Sequence, residues 1–251
     1  GKTWWFEGTS SVAQGGDLGH MTQSDLGYAL ILKAGADLAP MMEKLPALEY
    51  EVREVIHLPK QKGAETLIEI DYVYRGERAD RVRSDLRYQS LSSYVEDRCA
   101  LFSYIYGMNM CAIPQMIDDR RLNEITITTL VTTTNPGHGT GKAGEKVFFS
   151  PESGFDYVLD EPEGRRQFPY ELGDVREGRI TTLIKTDYKL DWPTKPKTWN
   201  FGALCLSFTP RQTAQGFEAV REYTVSKPWL TAPEKMALDR DYAEISSYDR
   251  M

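Results

Sequence analysis

The alternation from Ile180 to Trp192 constrains this chain more than any other stretch. Ile180, Thr182, Ile184, Thr186, Tyr188, Leu190 and Trp192 fall on one face of an extended chain, and Lys185, Asp187, Lys189 and Asp191 on the other. Strand side chains point alternately to the two faces of a sheet, so this period marks a strand with one buried and one wet side. It runs past the usual length of about 5–6 residues, which predicts a curved sheet or a projecting arm.

The same period recurs from Thr66 to Tyr74, with Ile68, Ile70, Tyr72 and Tyr74 on one face and Glu69 and Asp71 on the other. A weaker alternation over Glu49–Leu58 precedes it, and the turn Lys60-Gln61-Lys62-Gly63 between the two predicts a hairpin. Ile125, Ile127 and Val131 alternate with Thr126 and Thr128 in a further strand. The apolar run Phe201–Phe208 reads as a central strand buried on both faces, and Ala219–Val225 as the last strand. Helical spacing is clearest at Leu91, Tyr94, Val95, Cys99, Phe102 and Ile105, which predicts one main amphipathic helix. Asp37–Lys44, with Asp37 as cap and Pro40 in the first turn, predicts a short helix. Met108–Ile117 reads as an apolar connection broken by Pro114, and Thr231-Ala232-Pro233-Glu234 as the capping-box start of a C-terminal helix.

Strands joined by short turns outnumber helices and no βαβ rhythm occurs. The expected class is therefore α+β: a mainly antiparallel, curved sheet, one main amphipathic helix packed across a face, and a C-terminal helix. The expected organisation is an irregular arm over 1–36, a single domain over 37–230 with a loop or insertion at 150–178, and the helix over 231–251.

With 30 Lys and Arg against 37 Asp and Glu, the chain carries a net charge of -7. Its 251 residues hold no concentrated basic field, so a nucleic-acid partner is not expected. No segment reaches the roughly 18–20 uninterrupted apolar residues of a spanning helix. Cys99, Cys111 and Cys205 lack metal-ligand spacing and are read as buried thiols, although a Cys99–Cys111 bridge would close the shorter loop. The opening Gly1-Lys2-Thr3 without Met fits removal of a leader or a tag, and is the one hint of an extracytoplasmic or organellar location.

Chemistry-bearing motifs are sparse. Asn135–Ala143 resembles a phosphate loop in its glycines. However, Pro136 and Ala143 stand where that loop needs Gly and Ser/Thr, and it feeds the strand-like run Glu145–Phe149 instead of a helix. Weak anion binding through His138 and Lys142 is what remains of it. His20, His57 and His138 are isolated, and no catalytic residue, metal ligand or cofactor is implied. The acids and arginines of Asp80–Asp85, Asp118–Arg121 and Asp239–Asp241 read as solvent-exposed ion pairs.

Aromatic residues carry the functional expectation. Trp4, Trp5 and Phe6 beside a Gly/Ser-rich stretch need a receiving pocket, and with Trp229 they predict a non-enzymatic assembly subunit contacting other subunits or copies of itself. The alternative is a ligand-binding protein or enzyme. Its pocket would lie between helix 91–105 and the sheet, lined by Tyr72, Tyr74, Tyr94 and Tyr188, with Asp118 or His57 at the mouth. A third expectation is carbohydrate or surface recognition through Trp199, Trp229 and the loop 150–178.

Overall fold

The computed structural model describes residues 15–16, 28–30, 35, 38–40, 48–60, 64–106, 110–134, 138–139, 146–147, 155, 168–172, 177–187 and 194–249. Nine strands form one sheet: β1 Tyr50–His57, β2 Thr66–Arg75, β3 Met110–Cys111, β4 Gln115–Asp119, β5 Glu124–Thr133, β6 Glu177–Lys185, β7 Lys197–Phe201, β8 Leu204–Thr213 and β9 Gly216–Val225. Three helices accompany them among the described residues, α1 Glu77–Asp85, α2 Leu91–Tyr106 and α3 Ala232–Asp249. The sheet is open, in the order β7-β8-β9-β6-β1-β2-β5, with β3 and β4 following one another along the outer edge of β5. Every pairing is antiparallel except that of β6 with β1.

The period-2 pattern of each strand, carried across the ladders, builds one continuous buried face. Tyr50, Val52 and Ile56 of β1 lie opposite Tyr74, Tyr72 and Ile68 of β2, and Tyr72 and Ile68 face Ile127 and Val131 of β5. Ile180 and Ile184 continue this face, as do Phe217, Tyr223, Leu206 and Phe208. All three helices reach it, since Arg83 of α1 bonds Asp118, Cys99 of α2 bonds Cys111, and Tyr248 of α3 packs its ring on Phe208. In α3, Lys235, Leu238 and Ile245 are buried, and its start is the expected capping box. Glu234 N–H donates to Thr231 Oγ1 (3.4 Å), and Thr231 N–H donates back to Glu234 Oε2 (2.7 Å).

The opposite face is charged and cross-linked between strands. Arg75 donates to Glu51 (3.0 Å) and Glu124 (2.8 Å), and Arg179 to Glu222 (2.7 Å). Burial pushes the Glu51 carboxyl up, but the Arg75 and Arg53 guanidinium groups outweigh it and hold it below the usual carboxylate range. A depressed folded-state pKa gives stability that is present above the unfolded value and lost as pH falls through the folded one. Glu51→Gln is therefore expected to lose about 1–2 kcal/mol near neutrality and to show a shallower decline in acid than the parent protein. Urea titrations between pH 7 and 3 measure this, and parallel pH profiles for the two proteins would refute it.

Several expectations need correction. The strand predicted to reach Trp192 ends at Lys185, because both neighbours stop there: Lys185 pairs with His57 at the end of β1 and with Gly216 at the start of β9. Residues 188–193 lie outside the described set. The run Phe201–Phe208 is two strands of a hairpin, divided by Gly202-Ala203, and in β8 the buried Leu204, Leu206 and Phe208 alternate with half-buried Cys205 and Ser207. Gly202 has φ +69°, the first-position conformation that a two-residue hairpin turn asks of glycine. Leu38–Pro40 is a short strand paired with Tyr28–Leu30, not a helix; Pro40 lacks an N–H and sits at the strand's end. The connection before β5 contains β3 and β4. Helix α1 was not expected, because its sequence Glu77–Asp85 is mostly charged.

Candidate functional site

Helix α1 sets up the site by presenting Arg78, Arg81, Val82 and Asp85 at positions i, i+3, i+4 and i+7, which share one helical face. That face closes a cavity of about 140 Å³ with Tyr94 from the first turn of α2 and with Tyr50 and Tyr74, which are paired across β1 and β2. The Tyr50 and Tyr74 rings lie 5.5 Å apart and are tilted by 37°. Arg81 is exposed and 3.8 Å from Glu77. The Arg78 side chain makes no hydrogen bond or ion pair among the described residues. Among the described residues the cavity is thus lined by tyrosine rings, by two guanidinium groups of which Arg81 is paired with Glu77, and by the Asp85 carboxylate.

Two features hold its walls, and the sequence points to neither directly. On another side of α1, Arg83 is 4% exposed and donates to Asp118 (2.7 Å), Asp80 (3.0 Å) and Asn123 (2.5 Å). Asp80 and Asp118 are thus ligands of a buried arginine, and Asp118 also keeps the expected pair with the exposed Arg120 (3.4 Å). The cluster is completed by backbone: Asn123, in the left-handed conformation (φ 51°), donates its side-chain amide to the Gly76 carbonyl (3.2 Å), and Gly15 N–H donates to Asp80 (2.8 Å). A Cβ on Gly15 would stand 2.6 Å from both Arg83 Nη1 and Asn123 Oδ1, so only glycine fits there. The second support is covalent. Cys99 and Cys111, expected as thiols, form a disulfide that ties α2 to the sheet edge. Folding brings their α-carbons to 6.0 Å, within bridging range. Cys205 is the free thiol, and it is only half-buried.

A separate polar group is buried at the centre of the covered face. Glu54 and Arg221 are each 1% exposed, and Thr182 stands between them. Its hydroxyl donates to Glu54 Oε2 (2.7 Å) and accepts from Arg221 Nη1 (3.1 Å). Arg221 Nε also donates to the carbonyl of Tyr248 in the last turn of α3 (3.4 Å), where the helix dipole favours a cation.

Of the pocket residues expected from sequence, the structure brings Tyr74 and Tyr94 together. Tyr72 is buried in the core, its ring stacked 6.4 Å from that of Tyr74, and does not line the cavity. Asp118 belongs to the Arg83 cluster. His57 points to the charged face, where it bonds Glu69, because it follows core-facing Ile56 in the strand. Tyr188, Lys142, Trp4, Trp5 and Phe6 lie outside the described residues. The backbone of His138 pairs with Val147, while its side chain lies outside the described set. Trp199 is 5% exposed and committed to packing: it donates to Glu244 (3.1 Å) and meets the Tyr248 ring edge-on at 5.3 Å. Trp229 is 52% exposed on a short ladder that pairs it with Glu171. Within 150–178, Phe155, Tyr170 and Leu172 are buried in the core and Phe168 is exposed. Tyr50, Arg78, Arg81 and Asp85 were missed; the i, i+3, i+4, i+7 spacing of α1 was the signal available for the last three.

Among the described residues no three His, Cys, Asp or Glu side chains are grouped to hold a metal ion, and no helix is long and apolar enough to cross a membrane. No protein-family model matches the chain, and comparison with curated proteins and with solved structures gives no match.

Proposed function

We propose that the protein binds a small organic anion with a flat, single-ring body in the cavity between β1, β2, α1 and the start of α2. This reading takes the sheet to curve toward α2, whose helical stripe of Leu91, Tyr94, Val95 and Cys99 closes the far side. The observation that carries it is Arg78, a guanidinium with no partner among the described residues that lines a tyrosine-walled recess. A cavity of about 140 Å³ is close to the roughly 150 Å³ that accommodates benzene in an engineered protein core. Guanidinium groups suit carboxylates because two parallel N–H donors match two oxygens.

Calorimetric titration with benzoate tests the proposal. Binding in the range of about 10 μM to 1 mM is expected, in keeping with the efficiency limits of so small a ligand. Arg78→Gln should weaken it at least about tenfold, and benzyl alcohol should bind much more weakly than benzoate. Equal affinity of the parent and the variant, or no binding of benzoate at all, would remove the reading. The other reading, a non-enzymatic assembly subunit, draws support from the half-exposed Trp229. A stable dimer in light scattering combined with no anion binding would favour it.

A further inference from the structure

The two edges of the open sheet differ in a way that folding alone does not require. At one end β7 presents Lys197, Thr198 and Asn200, polar residues of the kind that discourage strand addition, and α3 packs beside it. At the other end the chain from Met110 to Asp119 presents apolar side chains. Ile113 is 83% exposed and Ile117 71%, with Met110, Met116 and Leu130 also exposed. No hydrogen bond reaches the outward backbone groups of β4 among the described residues. An apolar edge with free donors and acceptors is a template for one more strand.

The structure also fixes where a nearby segment of the same chain begins. Gly16 N–H donates to the carbonyl of Arg120 (2.6 Å), one residue beyond the end of β4, and Gly15 is held by Asp80. An extended chain covers about 3.3 Å per residue. Phe6 is nine residues upstream of Gly15 and Ile113 is seven residues upstream of Arg120, so the reach of about 30 Å exceeds the span of about 23 Å. The segment that leads into Gly15 contains Trp4-Trp5-Phe6, large rings that need an apolar seat.

We propose that the edge Met110–Asp119 is the docking surface for this chain's own segment Trp4–Phe6, which runs parallel to this edge and seats its rings on Ile113 and Met110, with the chain that follows passing along β4. Trp4 and Phe6 share one face of that added strand and Trp5 takes the other. The receiver of the aromatic arm is then the arm's own subunit, not a companion.

Amide hydrogen exchange on the full chain, read at 115–119, compares the parent protein with a Trp4→Ala/Trp5→Ala/Phe6→Ala variant. The expected result is protection of alternate β4 amides that falls at least about tenfold in the variant, does not depend on protein concentration, and leaves β1 and β2 unchanged. Equal protection in both proteins overturns the proposal. Protection that rises with concentration, together with a dimer in light scattering, overturns it in favour of a second copy. If the triple variant fails to fold, a benzophenone side chain in place of Ile113 in the otherwise unchanged protein gives the answer. A cross-link to the peptide containing Trp4–Phe6 within one chain is required, and a cross-link between chains or to any other segment refutes the assignment.

Discussion

Replacing Arg83 with methionine is expected to cost about 3–5 kcal/mol of folding stability, the loss typical when one partner of a buried ion pair is removed and the other is left behind. Asp80 and Asp118 would then lose their buried cation, with the exposed Arg120 still 3.4 Å from Asp118, and the side-chain oxygen of Asn123 would lose the Arg83 donor. For a chain of this size the melting temperature should fall by roughly 10–15 °C. Guanidinium denaturation of Arg83→Met and of Arg83→Met/Asp118→Asn measures the effect. The double variant should recover part of the loss, because the stranded charge is gone. A loss below about 1 kcal/mol would show that the cluster is as weak as an exposed pair. Since α1 carries both Arg83 and the cavity face, any affinity for benzoate should fall with the loss of α1 order even where the protein remains folded.

Arg221→Met is expected to be about as damaging, again about 3–5 kcal/mol. Glu54 and Arg221 stand on strands that are not neighbours, and the hydroxyl of Thr182 on β6 connects them across the gap. Removing the guanidinium takes from Thr182 its Arg221 donor, from Glu54 the cation it reaches through that hydroxyl, and from the end of α3 the cation at the Tyr248 carbonyl. Glu54→Gln combined with Arg221→Met should be less destabilised than the sum of the two single changes by about 1–3 kcal/mol. Additive single effects in urea denaturation would mean that the two charges do not interact through Thr182. Hydrogen exchange in the last turn of α3 should quicken in Arg221→Met more than in Glu54→Gln, because the Arg221 guanidinium donates to the Tyr248 carbonyl.

Local pattern was enough for much of the architecture. The hairpin of β1 and β2, the strands β5 and β9, helix α2 and the capping box of α3 could be read because each depends on residues near one another in sequence. Where a period-2 run was misjudged, the cause lay in its neighbours. Nothing between Ile180 and Trp192 marks the point at which β6 loses its partners, since that point is set by the ends of β1 and β9. The Gly202-Ala203 turn was hidden for a related reason: a tight hairpin needs only two residues, and both are small enough to pass within an apolar run.

The site was less legible than the fold. Tyr74 and Tyr94 were expected in a pocket, but the positive wall from α1 was not, because Glu77–Asp85 has the charge density of a surface loop, which masks the helical spacing of Arg78, Arg81, Val82 and Asp85. The disulfide was read as two thiols because residue spacing gives loop length without giving distance.

The sequence by itself determined which residues alternate, and therefore which side of each strand is apolar, because that parity is fixed by backbone geometry one residue at a time. Only the tertiary structure decided that β6 lies parallel to β1 and that Arg83 finds Asp118. It also decided that Glu54 meets Thr182, 128 residues away. Pairings between distant segments are selected by the packing of whole faces against one another and by the need to satisfy every buried charge, and no short stretch of the chain carries that information.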